Sequence, residues 1–119
     1  MKSYTDIEQS KVLAKILPLE SADYFWAVDV NIVITAPYIT NVNGEKCVPA
    51  VDNAIPCWSL AALLDILSHP TLVERSEGWR CVSCGTNKEG KAYLEGKTYN
   101  NPIDACYEMI LRLHELEML

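Results

Sequence analysis

From Trp26 to Ile34 the apolar residues recur at every second position. Trp26, Val28, Val30, Ile32 and Ile34 fall on one side of an extended chain, and Ala27, Asp29, Asn31 and Thr35 on the other. A period of two marks a half-buried strand, because successive side chains point to opposite faces. The second side is polar except for Val33. That predicts a sheet with one packed face and one wet face, as antiparallel sheets have. Pro37 closes the run. Asn43-Gly44, between the extended stretches Tyr38–Val42 and Glu45–Val51, predicts a hairpin, since a type I′ turn needs positive φ at both central residues.

Three other segments carry helical signals. Thr5 as N-cap with Glu8 three residues on forms a capping box, and the helix runs to Leu17, where Pro18 stops it. Its buried face is Ile7, Leu13, Ala14, Ile16 and Leu17. Pro56 opens a second helix over Cys57–Ser68, ended by His69-Pro70. It is apolar nearly all round; only Ser59, Asp65 and Ser68 are polar. Asn101 caps a third helix, with Pro102 in its first position and Asp104 in its third. Ile103, Cys106, Met109, Ile110, Leu113 and Leu116 make its inner stripe. Strands are expected at Leu72–Arg75, Trp79–Ser83, Lys91–Leu94 and Lys97–Tyr99, with a turn at Gly85–Gly90. The order is α-β-β-β-α-β-β-β-α: an α+β fold, a largely antiparallel sheet packed by three helices, in a single domain over residues 1–119.

A chain of 119 residues can bury one core without staples. Its net charge of −6 argues against a nucleic-acid partner, because phosphate affinity comes from clustered Lys and Arg. The charge is uneven: residues 21–70 hold five acids and one Lys. The hairpin Arg80–Lys97 is locally basic and carries Tyr93. No apolar run is long enough for a membrane span, and the N-terminus lacks the apolar core of a signal peptide. Both predict a cytoplasmic protein whose five Cys stay reduced.

Cys81-Val82-Ser83-Cys84-Gly85 is the one motif with the spacing of a chemical site. Two thiols so placed supply half of a tetrahedral zinc site or a redox pair. The remaining zinc ligands would have to come from Cys47, Cys57, His69, Cys106 and His114, which are scattered over the chain. If the strand from Trp79 runs straight through Cys84, the two thiols face opposite ways, one in the core and one exposed. A turn at Ser83 would bring them together. Cys57 and His69 sit at opposite ends of one expected helix, too far apart to share a proton. Asp29, Asp52 and Asp65 have no partner pattern. No cofactor is expected.

The segments Pro56-Cys57-Trp58-Ser59-Leu60-Ala61-Ala62-Leu63-Leu64 and Asn101-Pro102-Ile103-Asp104-Ala105-Cys106 carry a resemblance. Together with the strand opening at Trp79-Arg80, they resemble a family of small uncharacterised proteins encoded in prophages and mobile elements of gut anaerobes. Its members share a Pro-(Ala/Cys)-Trp-Ser-Leu-x-Ala-Leu-Leu helix and a C-terminal Asn-Pro-x-Asp-Ala-Cys helix. The resemblance implies a genomic setting and no catalytic residues, and the family pattern does not include Cys81 and Cys84. The expected function is that of a non-enzymatic accessory protein of a phage or mobile element. It would act through protein–protein contacts with another protein or a second copy of itself. Trp58, Leu60 and Leu64 on the apolar middle helix are the interaction candidates, since uncovered apolar area tends to become an interface. The alternative is a small zinc-containing, nucleic-acid-binding domain using Cys81 and Cys84.

Overall fold

The computed structural model describes residues 2–27, 32–35, 39–40, 46–47 and 54–119. Helices alternate with groups of strands in the expected order, and every described strand pair is antiparallel. The fold is therefore α+β. The described strands form two three-stranded sheets and one two-stranded pair. The chain divides into two compact units, Tyr4–Ala62 and Leu63–Leu119 with Met1–Ser3.

The unit Tyr4–Ala62 opens with α1 (Ile7–Leu13). Its capping box lies one residue later than expected. Asp6 accepts from the Gln9 amide at 2.7 Å, and the Gln9 side chain returns a bond to the Asp6 amide at 3.1 Å. Thr5 does not cap, because its polar groups are engaged elsewhere. Its hydroxyl accepts from the Trp58 amide at 3.1 Å, its amide donates to the Trp58 carbonyl at 3.0 Å, and its carbonyl accepts from the Trp26 indole at 2.9 Å. The strands are β1 (Tyr24–Ala27), β2 (Ile32–Thr35), β3 (Ile39–Thr40), β4 (Lys46–Cys47) and β5 (Ala54–Cys57). The first sheet has the order β2-β1-β5, and β3 pairs with β4.

Two expectations fail here. The run Trp26–Ile34 is not one strand, because β1 and β2 pair antiparallel with Trp26 opposite Val33 and Phe25 opposite Ile34. Opposed residues share a face, so Trp26 shares its face with Val33, which the alternation set on the other side. Phe25 and Ala27 are the buried side of β1. Pro56 and Cys57 do not open a helix: both belong to β5, which lies at the edge of its sheet, where a proline's missing N–H costs no ladder bond. The helix α2 (Leu60–Ile66) begins three residues after Cys57, with the Ser59 hydroxyl accepting from the Ala62 amide at 3.3 Å. β3 and β4, which fall within the two arms of the expected hairpin, pair antiparallel with Thr40 opposite Lys46. Asn43-Gly44 lies outside the described residues.

In the second unit, β6 (Ser68–Arg75), β7 (Gly78–Asn87) and β8 (Gly90–Tyr99) form a meander in the order β6-β7-β8. His69-Pro70, expected to end a helix, sits inside β6 at a register shift between Ser68 and Thr71, with His69 at φ 49°. Edge strands and bulges are the places where a sheet accepts proline. Both turns are two residues long, Ser76-Glu77 and Lys88-Glu89, and each is followed by a glycine with positive φ. At Gly78 a Cβ would stand 2.3 Å from the Tyr99 carbonyl oxygen, so only glycine fits. The two short strands expected at Lys91–Leu94 and Lys97–Tyr99 are one ten-residue strand with a bulge opposite Cys81.

The last helix, α3 (Pro102–Glu115), forms as its caps predict: Asn101 accepts from the Asp104 amide at 2.9 Å, with Pro102 in the first turn. Ile103, Cys106, Met109, Ile110 and Leu113 are each no more than 1% exposed. Each large apolar side chain so buried contributes about 1.5–3 kcal/mol. Leu116 departs from the stripe and is 43% exposed, because the helix ends at Glu115. Gly85 lies inside β7 rather than in a turn. A Cβ there would fall 2.8 Å from Leu113 Cδ2 and 2.7 Å from Met118 Cβ, so the glycine lets the end of the chain lie on the strand.

Candidate functional site

β7 runs straight through Ser83 and Cys84. Cys81 and Cys84, three residues apart on an extended chain, therefore face opposite ways and do not converge. Cys84 is nevertheless 2% exposed, not the exposed residue a straight strand implied. β7 is the central strand of its sheet, with β6 along one edge and β8 along the other. Among the described residues no cluster of three or more His, Cys, Asp or Glu could hold a metal ion. His69 and His114 are both exposed, and Asp65 is exposed on α2. Asp29, Asp52 and the Cys47 side chain lie outside the described residues.

The thiol partner of Cys81 is Cys106 on α3, twenty-five positions away and invisible to local spacing. Both are fully buried. The hydrogen bond between them holds the Cys81 thiol below its ordinary value, and that bond together with burial pushes the Cys106 thiol up. Cys57 closes β5 fully buried; burial, with Asp23 adding to it, pushes its thiol up to about 12. Cys57, Cys81, Cys84 and Cys106 are thus all buried, and burial in apolar surroundings suppresses thiolate reactivity.

Of the apolar segment singled out for interaction, Trp58 is fully buried and donates its indole N–H to the Ser21 hydroxyl at 3.0 Å. Leu60 and Leu64 are half-buried, and Leu63 is wholly inside. Trp58 therefore offers a partner no surface.

The surface with the most recognition chemistry lies along β8. Among the described residues no strand pairs with its outer side, so a ten-residue strand leaves one edge open. Lys91, Tyr93, Glu95 and Lys97 are exposed on it, Tyr93 by 68%. Where β8 bulges at Gly96-Lys97, the flank of α3 stands beside it. The two enclose a cleft of about 380 Å³ lined by Lys97, Tyr99, Glu108, Met109 and Arg112. A Cβ on Gly96 would lie 3.1 Å from the Cys81 carbonyl and 3.4 Å from Met109 Cε, so the glycine permits this close approach. Arg112 reaches across and donates from Nη1 to the Glu95 carbonyl at 3.0 Å. Burial, with Glu108 and Asp104 adding to it, raises the Tyr99 phenol above its ordinary value. The cleft thus presents charges of both signs and a phenol. The sequence signal for it was the polar alternation from Lys91 to Lys97, which reads first as a solvated hairpin. Among the described residues no helix is long and apolar enough to cross a membrane. Compared with known proteins, the chain matches no family model, no curated protein and no solved structure.

Proposed function

We propose that this protein works by binding another polypeptide chain and performs no catalysis of its own. The observation that supports this reading best is the open edge of β8, ten residues long and bearing exposed Tyr93. The N–H and C=O groups along an open strand edge are a template for a further strand, here with the Glu95 carbonyl already accepting from Arg112, and tyrosine is among the residue types enriched at interfaces. The narrower reading, an accessory protein of a phage or mobile element, rests on the resemblance of the Pro56–Leu64 and Asn101–Cys106 segments alone. A photo-reactive amino acid in place of Tyr93, compared with one in place of exposed Glu20, tests the binding surface in extract of the native host. A discrete protein adduct from position 93 and none from position 20 is expected. No adduct from position 93 overturns the reading.

A further inference from the structure

We propose that β8 pairs with the β8 of a second copy of this chain, antiparallel about a twofold axis at Tyr93. This identifies the partner in the binding function above, and rests on that reading. The polarity of the edge follows from the hairpin. Its two-residue loop closes on the pair Asn87 and Gly90. Such a closing pair exchanges its own hydrogen bonds, and bonded and non-bonded pairs alternate along an antiparallel ladder. Lys91, Tyr93 and Glu95, which stand opposite Thr86, Cys84 and Val82, therefore turn their N–H and C=O groups away from β7. The Arg112 guanidinium, donating to the Glu95 carbonyl at 3.0 Å, agrees with that orientation.

The order of residues then selects the occupant. In a twofold pairing centred on Tyr93, Tyr93 meets its own copy and Lys91 meets Glu95 of the second copy, twice per dimer. On the other face Ala92 meets Leu94, and Gly90 meets Gly96. Apart from the glycine pair, which has no side chains to meet, every pair is opposite in charge, apolar or aromatic, the combinations that stabilise cross-strand contacts. Moving the axis by one residue sets Glu89 against Glu95 or Lys91 against Lys97. Moving it by two sets Lys91 or Glu95 against itself. A slip that exchanges the faces takes the exposed set out of register altogether. An edge guarded against pairing carries charge that repels its own copy; this edge carries charge that is antisymmetric about one residue. Lys91, Tyr93 and Glu95 are all exposed, and the Glu95 carboxylate already holds Arg80 at 2.6 Å, so Lys91 of the second copy would join an existing ion pair.

Sedimentation of the full chain from about 10 µM to about 1 mM tests this by mass action. The wild type should dimerise. Lys91→Glu alone and Glu95→Lys alone should each weaken the dimer about tenfold, because each sets like charges in opposition twice. An equimolar mixture of the two variants should restore association, since each then meets the opposite charge on the other. Far-UV circular dichroism of the variants should match the wild type. A strict monomer, a dimer indifferent to both reversals, or reversals that weaken it without rescue on mixing would overturn the pairing. A monomer whose position 93 still crosslinks to a different protein overturns self-pairing and leaves the binding function standing. The absence of both adduct and dimer overturns the two together.

Discussion

Each of the two units of this chain has its own source of internal cohesion. The unit containing β6, β7, β8 and α3 has strands of eight, ten and ten residues and one apolar helix stripe. Its cohesion is area: Ile103, Met109, Ile110 and Leu113 are at most 1% exposed. The unit Tyr4–Ala62 has described strands of two to four residues, too short for much ladder bonding. Beside apolar residues such as Leu13, Phe25 and Trp58, a connected set of buried and half-buried polar groups binds it. Thr5 connects to Ser10, Trp26 and Trp58, Trp58 connects to Ser21, and Asp23 accepts from both the amide and the hydroxyl of Ser59. Apolar packing degrades gradually when trimmed, while a satisfied polar network fails when one member is lost. Single substitutions should therefore separate the two.

The largest effect belongs to the apolar stripe. Ile110→Ala should destabilise the protein by about 2–5 kcal/mol and Ile110→Val by about 0.5–1.5 kcal/mol, read as urea midpoints at constant m-value. A graded response of this kind is what packing predicts. An Ile110→Val as costly as Ile110→Ala would show that shape rather than volume governs the stripe.

This same helix was the part of the fold most open to reading from sequence. Asn101, Pro102 and Asp104 are adjacent in the chain, and their capping chemistry is local. The apolar stripe behind them has no competing period. Pro56 and His69-Pro70 misled, because a proline stops a helix and also marks an edge strand or a bulge, and which applies depends on strand neighbours far away in sequence. The run Trp26–Ile34 misled for a related reason. Alternation survives in both arms of a strand pair, and Asp29 and Asn31, types depleted in strands, were the only local hint against one continuous element. The candidate site was less legible still. Cys81 with Cys84 is conspicuous and does not converge, while Cys81 with Cys106 converges across twenty-five positions. The open edge of β8 exists only once β7 has taken the other side.

The second contrast concerns the polar network. Thr5→Val keeps the volume and removes the hydroxyl that accepts from the Trp58 amide and pairs with Ser10 Oγ at 2.8 Å. A buried N–H left without a partner costs about 1–3 kcal/mol. Thr5→Ser, which keeps the hydroxyl and removes a methyl, should be the milder change. If Thr5→Val proves as stable as wild type while Thr5→Ser does not, the site is held by packing, and the contrast between the units fails there.

The last effect is nil at neutral pH, appears only at high pH and arises in the same unit. Cys57 is fully buried, and its thiol is raised from 9.0 to about 12 in the folded protein. A raised pKa means that the folded state keeps its proton after the unfolded chain has lost it. The neutral thiol's contribution is thus complete below pH 9 and is lost as pH climbs from 9 toward 12. Each pH unit in that window should lower stability by at most about 1.4 kcal/mol. Tyrosines and other thiols also titrate there, so the informative quantity is the difference between wild type and Cys57→Ala. The variant starts lower at neutral pH, because it leaves a small cavity. Its stability should then fall less steeply above pH 9, and the two curves should converge. Parallel curves in denaturant titrations at several alkaline pH values would mean that Cys57 ionises freely in the folded state, and that the closed interior around the end of β5 opens readily to water.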